Sequence, residues 1–248
     1  MSSREDWQRR LGPLYGGAVA LVHSTPWRWP TEVGDEARSA VWIVALGVPC
    51  GLLAWVCAKL IWAAGIPVPI AAIVGLAMLT LSSAALVERG LAESVDHWQG
   101  QARSPGVASL LVLVFTTLIR AAAILVVPPG QWLWLFVATA VIGRWAAVFL
   151  QALGDPIAVD ETQRSLVATP APAWLIAAIS GGVLALTILA MGKLGLVAMA
   201  LVAVAVFAVG LASQRRDGGL TPQIVAVAAA VGELAVLLLA TVGHQGAA

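Results

Sequence analysis

Three carboxylates, Glu88, Glu93 and Asp96, fall within nine residues of the stretch LVERGLAESVDHW at 86–98, and Arg89 stands among them. On a helix, positions 89, 93 and 96 share one face, because side chains three and four apart are neighbours. Carboxylates so placed can hold Mg²⁺ jointly with substrate phosphates. The ion offsets charge as a phosphorus–oxygen bond breaks, and a spare carboxylate can take a proton from an attacking hydroxyl. Arg89 lies on the same face and complicates this, since a cation beside the metal repels it. Glu88, one residue earlier, is the substitute third carboxylate. In ideal helix geometry Glu93 and Asp96 lie about 60° apart, while Glu88 lies about 80° from Asp96 and about 140° from Glu93. Arg89 is then free to contact a phosphate.

A second candidate is GGLT at 218–221, just before Pro222. Backbone N–H groups at a helix start favour anions, so Gly218, Gly219 and Thr221 are phosphate-binding candidates. The competing reading is a plain turn ahead of a proline suited to the first helical position. Arg120, Arg144 and Glu233 lie inside apolar runs. Such charges cost a few kcal/mol each on insertion scales and face a bundle interior. The expectation is that Arg144 and Glu233 point inward, close to each other or to a shared polar cavity. His23 is a lone histidine, better explained by packing. No GxxxxGK[ST], CxxC or HExxH pattern occurs.

The elements that must carry these residues follow from composition. The chain has 248 residues, 60% hydrophobic and 11% charged, where a soluble domain carries about a quarter charged residues. This excludes an ordinary soluble globule and predicts an all-α, multi-span membrane protein. About seven spans are expected, near 40–62, 67–87, 106–128, 131–152, 172–192, 194–213 and 222–242. GIPVP at 65–69, PPG at 128–130 and GKLG at 192–195 break them. Segments 88–105, 153–171 and 214–221 read as polar loops. Residues 1–39 form an N-terminal segment in which 11–27 is an interfacial or re-entrant helix. Residues 40–242 form the transmembrane domain and 243–248 a tail. Cys50 and Cys57, seven apart on one helix, are about 10 Å apart, too far for a disulfide, and are assigned to packing.

With the N-terminus cytoplasmic, ten arginines fall on the cytoplasmic side, against Lys59 and Lys193 outside. That bias sets the expected orientation. Twelve of the thirteen acids share the arginines' side, so chemistry is expected there. Tryptophans 27, 29, 62, 98, 132, 134 and 174 stand near span ends, as an aromatic belt requires. The net charge of +1 and the lack of a basic tract give no sign of nucleic-acid binding.

Four stretches then resemble one family. They are ARSAVWIVALGVPCGLLA (37–54), with Gly47 and Gly51 in GxxxG spacing, RGLAESVDH (89–97), GRWAAVFLQAL (143–153), and RDGGLTPQ with GELAVLLLA (216–223, 232–240). Their order and spacing resemble the cobalamin synthase family, the adenosylcobinamide-GDP ribazoletransferases, from about residue 15 to 240. The resemblance implies a helical bundle in a bacterial or archaeal cytoplasmic membrane. It also implies a Mg²⁺-assisted reaction in which α-ribazole, or its 5′-phosphate, attacks adenosylcobinamide-GDP and GMP leaves. By position it implies Glu93 and Asp96 as metal ligands and catalytic carboxylates, with Glu88, which matches no family position, as the recruited third. Arg89, Arg103, Arg144, Gly218, Gly219, Thr221 and Glu233 become substrate-binding residues. Oligomeric state is open, a homo-oligomer included.

The chain departs from the pattern at several points. Arg89 takes the place of the family's first aspartate, His97 that of a glycine, Val87 that of a histidine and Gln223 that of a loop aspartate. ARSPG shortens the family's basic segment and leaves Arg103 as its equivalent. A fold retained without turnover, acting as transporter or assembly partner, is therefore the alternative. A CDP-alcohol phosphotransferase needs two further downstream aspartates that are missing. A transporter is favoured by inverted repeats, and no convincing repeat is seen.

Overall fold

A computed structural model describes residues 3–27, 39–100, 105–154, 157 and 171–245. Arg103 lies outside the described residues. Within them the chain has no strand, and its helices run α1 (Ser3–Leu11), α2 (Tyr15–Ser24), α3 (Ser39–Ala45), α4 (Gly47–Ala63), α5 (Val68–Ser82), α6 (Leu86–Trp98), α7 (Val107–Val126), α8 (Trp132–Leu153), α9 (Ala173–Met191), α10 (Lys193–Asp217) and α11 (Pro222–Gln245). Six segments are long and apolar enough to cross a membrane, with α3 and α4 making one of them. Helices α5 and α6 make a seventh only as a pair bent by 76°. This is an all-α polytopic membrane protein.

Helix α8 is the axis of the bundle. Its apolar residues run all the way round, which marks a helix enclosed by others. Of its span, 83% is buried, against 22% for α7 and 17% for α9. The outer helices turn Leu110, Leu111, Phe115, Leu118, Trp174, Leu189 and Phe207 outward, as lipid-facing surfaces do. Small residues set how closely the helices approach. A Cβ built on Gly51 would lie 2.6 Å from Val137 Cα, and one on Gly47 2.7 Å from Val141 Cα. Ala54 and Ala58, fully buried, continue the stripe. In lipid such stripes associate by backbone-to-backbone packing rather than by the hydrophobic effect. A Cβ on Gly232 of α11 would meet Ile142 O at 3.2 Å, so α8 and α11 cross tightly within two residues of Arg144.

The expected second span differs from the structure in an informative way. It breaks at Ser83–Ala85, and the acidic stretch expected as loop is helix α6. Ala84 and Ala85 both have positive φ, 55° and 52°. For residues with a Cβ that conformation costs about 1–2 kcal/mol each. The break carries no Gly or Pro, so no sequence signal announced it. Helix α10 likewise continues to Asp217, beyond the expected start of the loop. The proposed belt also loses one member. Trp132 is fully buried, donates its ring N–H to Val127 O at 3.1 Å and meets Phe136 edge-on. Trp27, Trp62, Trp98, Trp134 and Trp174 are exposed, and Trp29 lies outside the described residues. Helix α2, ten residues long, spans about 15 Å, half a bilayer core, with Tyr15, Val19 and Ala20 buried.

Two outcomes follow. With seven crossings and the arginine-rich end cytoplasmic, a reporter fused at the C-terminus should be active only outside the cytoplasm; cytoplasmic activity would contradict that topology. Gly51→Leu should remove folded protein, because the new side chain meets the α8 backbone, while Leu53→Ala on the exposed face should leave folding unchanged. Fluorescence-detected size-exclusion chromatography reads both.

Candidate polar site at the arginine-rich end

The deepest charges form one connected group. Arg120 of α7 is 3% exposed and stands between two carboxylates. Its Nη1 donates to Glu88 Oε1 at 2.7 Å. Its Nη2 lies 2.9 Å from Glu233 Oε2 of α11. Thr80 of α5 donates its hydroxyl to the same Glu88 oxygen at 2.9 Å, across the bend. Arg144 of α8 adds favourable electrostatics to Glu233 but does not bond to it. Its Nη1 donates to Ala140 O at 3.3 Å and its Nη2 to Cys50 Sγ at 3.1 Å. Arg144 and Glu233 do face the interior, as expected, at 9% and 7% exposure. Of the two alternatives left open, the structure shows the shared polar interior: the ion-pair partner of Glu233 is Arg120. Sequence pattern could not decide among three intramembrane charges on different helices. Cys50, read as a packing residue, is also an acceptor for a buried guanidinium.

Why Glu233 fits is local. A Cβ on Gly143 would lie 2.6 Å from Glu233 Cγ. The glycine in GRW therefore opens space for the glutamate opposite, while its neighbour Arg144 supplies charge. Glu88 Oε2 and Arg120 Nε make no hydrogen bond among the described residues, and the Nη2 approach to Glu233 is an ion pair without hydrogen-bond alignment. A buried charge left without its partner costs more than one never placed there.

Along α6 the other carboxylates separate. Helix α6 lies on α11 through Val87 against Ala229 and Ala230 and through Gly90 against Ala226. Glu93 pairs with Arg89 at 2.7 Å on the exposed side. Asp96 is 2% exposed, and both its oxygens accept from Gly106 N–H, at 3.1 and 3.2 Å. Gly106 is the N-cap of α7, so Asp96 sets an anion at a helix N-terminus, where the dipole favours it. Glu88 is eight residues from Asp96, about 12 Å along the axis. The structure therefore does not bring Glu88 together with Glu93 and Asp96. Among the described residues no group of three His, Cys, Asp or Glu side chains is placed to hold a metal. Glu93, paired on the exposed side, and Asp96, buried on Gly106 N–H, are the two carboxylates this end of α6 carries, three residues apart.

The far end of α6 reaches the glycine loop. His97 Nε2 lies 3.2 Å from Asp217 Oδ1, and Arg216 Nη2 donates to Trp98 O at 2.6 Å. Gly218 ends α10 in the left-handed region at φ 79°, where glycine is the natural residue. Ser213 donates to Gly219 O at 2.6 Å, and Leu220 is buried. Thr221 Oγ1 accepts from Ile224 N–H at 3.3 Å, so its side chain caps α11 with Pro222 at the first helical position. The turn is structural in its side chains, and the acidic helix and the loop share one end of the bundle.

The fold and this site define a polytopic helical membrane protein with a buried charge network and an acidic helix docked on a glycine turn. A family model for cobalamin-5-phosphate synthase matches residues 17–241, and the chain belongs to that family, whose enzymes act in cobalamin synthesis. No curated protein and no solved structure matches the chain.

Arg120→Met should destabilise by about 3–5 kcal/mol, because a buried Glu233 and a half-buried Glu88 lose their cation. Adding Glu88→Gln and Glu233→Gln to it should recover most of the loss. Thermal unfolding in micelles checks the order, and a triple variant less stable than Arg120→Met would contradict it.

Proposed function

We propose that this chain is an adenosylcobinamide-GDP ribazoletransferase of a cytoplasmic membrane, with its N-terminus inside. One observation carries the reading beyond family membership. The Glu93–Asp96 side of α6 and the Gly218–Thr221 turn are joined at one end through His97–Asp217 and Arg216–Trp98. A carboxylate pair beside a helix start suits a substrate with a pyrophosphate.

In the proposed reaction the hydroxyl of α-ribazole, or of its 5′-phosphate, attacks the corrinoid-linked phosphorus of adenosylcobinamide-GDP. The bond from that phosphorus to the GMP oxygen breaks, and GMP leaves with the electron pair. Glu93 and Asp96 would hold Mg²⁺ with the pyrophosphate, and the ion would offset the charge that builds on the phosphate oxygens. A carboxylate oxygen not engaged by the ion accepts the proton of the attacking hydroxyl. Arg89, 75% exposed at its side chain, is free to turn from Glu93 to a phosphate, where a guanidinium binds bidentately. Gly219 offers its backbone N–H to the same anion, while Gly218, whose N–H is donated to Gln214 O, shapes the turn. Arg144 and Glu233 lie deeper, and their part is to hold the bundle that presents this end. Glu88 takes no part in metal binding on this reading, since Arg120 and Thr80 engage it.

A second reading is the fold without turnover. The Arg89–Glu93 ion pair favours it, because a cation already occupies the acidic face. Purified protein given both substrates separates the two readings. The transferase releases GMP only with Mg²⁺, and Glu93→Gln slows it at least tenfold, a barrier change of about 1.4 kcal/mol. Arg89→Asp, which removes the cation, speeds it. Asp96→Asn is less clean, because it also loosens the hold on Gly106. Native protein that releases no more GMP than Glu93→Gln would sink the transferase reading.

A further inference from the structure

Two polar relays, one from each buried arginine, end on the last turn of α5, beside the bend at Ser83–Ala85. Arg120 reaches Glu88 at 2.7 Å, and Glu88 takes the hydroxyl of Thr80 at 2.9 Å from the other side of the break. Arg144 reaches Cys50 at 3.1 Å, and the Cys50 thiol faces Ser82 O at 4.0 Å. Thr80 and Ser82 close α5, and Glu88 lies in the first turn of α6. Between them Ala84 and Ala85 hold a left-handed backbone that their side chains disfavour. Ala84 and Ala85 N–H groups close the turn on Leu81 O and Thr80 O, but alanine and leucine prefer a continuous helix, so the turn calls for a further restraint. Ser82 and Ser83 hydroxyls bond only backward, to Leu79 O and Thr80 O, so they do not bridge the bend.

We infer that Glu88, acting with Arg120, is a positioning residue that clamps the α5–α6 elbow and so sets where the carboxylate-bearing end of α6 lies against α10. The second relay, through Arg144 and Cys50, supports the same bend from α4. The clamp works against the strain at Ala84 and Ala85. Two consequences follow that a purely stabilising ion pair does not share. Loss of the clamp displaces the far end of α6, about 15 Å from Glu88 along the axis. Relief of the strain makes the clamp less necessary. The bearing on turnover rests on the transferase reading, while the clamp itself does not.

The test uses full-length protein in micelles, with Cys57→Ser to remove the half-exposed thiol. His97→Cys and Asp217→Cys place thiols where the native side chains meet at 3.2 Å, and the rate of disulfide formation between them reports α6 against α10. Glu88→Gln should lower that rate at least about fivefold, and adding Ala85→Gly should return it to within about twofold, a coupling typical of residues sharing one network. Thr80→Val removes only the hydroxyl that bridges the bend, and should act in the same direction if Glu88→Gln fails to accumulate. The inference is overturned if neither variant changes the rate. It is equally overturned if Ala85→Gly restores nothing, since the slower rate then reflects general loosening. A chain that releases no GMP yet shows the fall and the rescue refutes the transferase reading alone.

Discussion

One guanidinium between two carboxylates, deep in an apolar bundle, governs the rest of this structure. Arg120 sits on α7, Glu88 on α6 and Glu233 on α11, so a single cation ties together three helices that also pack on one another. In hydrocarbon no water can replace a lost partner, so the three must be satisfied together or the helices part. That requirement fixes the direction of α6. It also explains why a helix of thirteen residues carrying five charged or ionisable side chains, Glu88, Arg89, Glu93, Asp96 and His97, is held inside the fold rather than floating free as a loop.

Small residues make this arrangement possible. Gly47 and Gly51 bring α4 onto α8, Gly143 opens the space that Glu233 fills, and Gly90 lets α6 lie on Ala226. Each removes a side chain at a point where a backbone or a charge must pass. The close approach of α8 and α11 at Gly143 and Gly232 puts Arg144 and Glu233 in the same interior. The electrostatic centre and the packing centre of the molecule therefore coincide. The end that carries the glycine turn inherits its position from them.

Much of this was legible in the sequence. Six of the seven expected spans coincide with long helices, because length and hydropathy alone decide them. The inward placement of Arg144 and Glu233 followed from the cost of facing lipid. The pairing did not follow, since three charges on three helices admit more than one match and only packing chooses. The bend at Ser83–Ala85 was illegible for a different reason. Its residues are ordinary helix formers, yet Ala84 and Ala85 N–H groups close a turn on Leu81 O and Thr80 O, and the Thr80–Glu88 bond spans it. Reading 88–105 as loop confused charge with irregularity, although Glu88, Glu93 and Asp96 stand at helical spacing. Trp132 misled similarly, since nearness to a span end does not distinguish a belt residue from one enclosed by the bundle.

The account stands or falls on the partner of Arg120. An electron-cryomicroscopy structure of the native chain in lipid nanodiscs measures it directly. The account predicts the Arg120 guanidinium within hydrogen-bonding reach of both Glu88 and Glu233, with α5 and α6 meeting at a sharp bend over Ser83–Ala85. A straight, continuous helix through 68–98, or Glu233 paired to Arg144 with Arg120 turned to lipid, would contradict it.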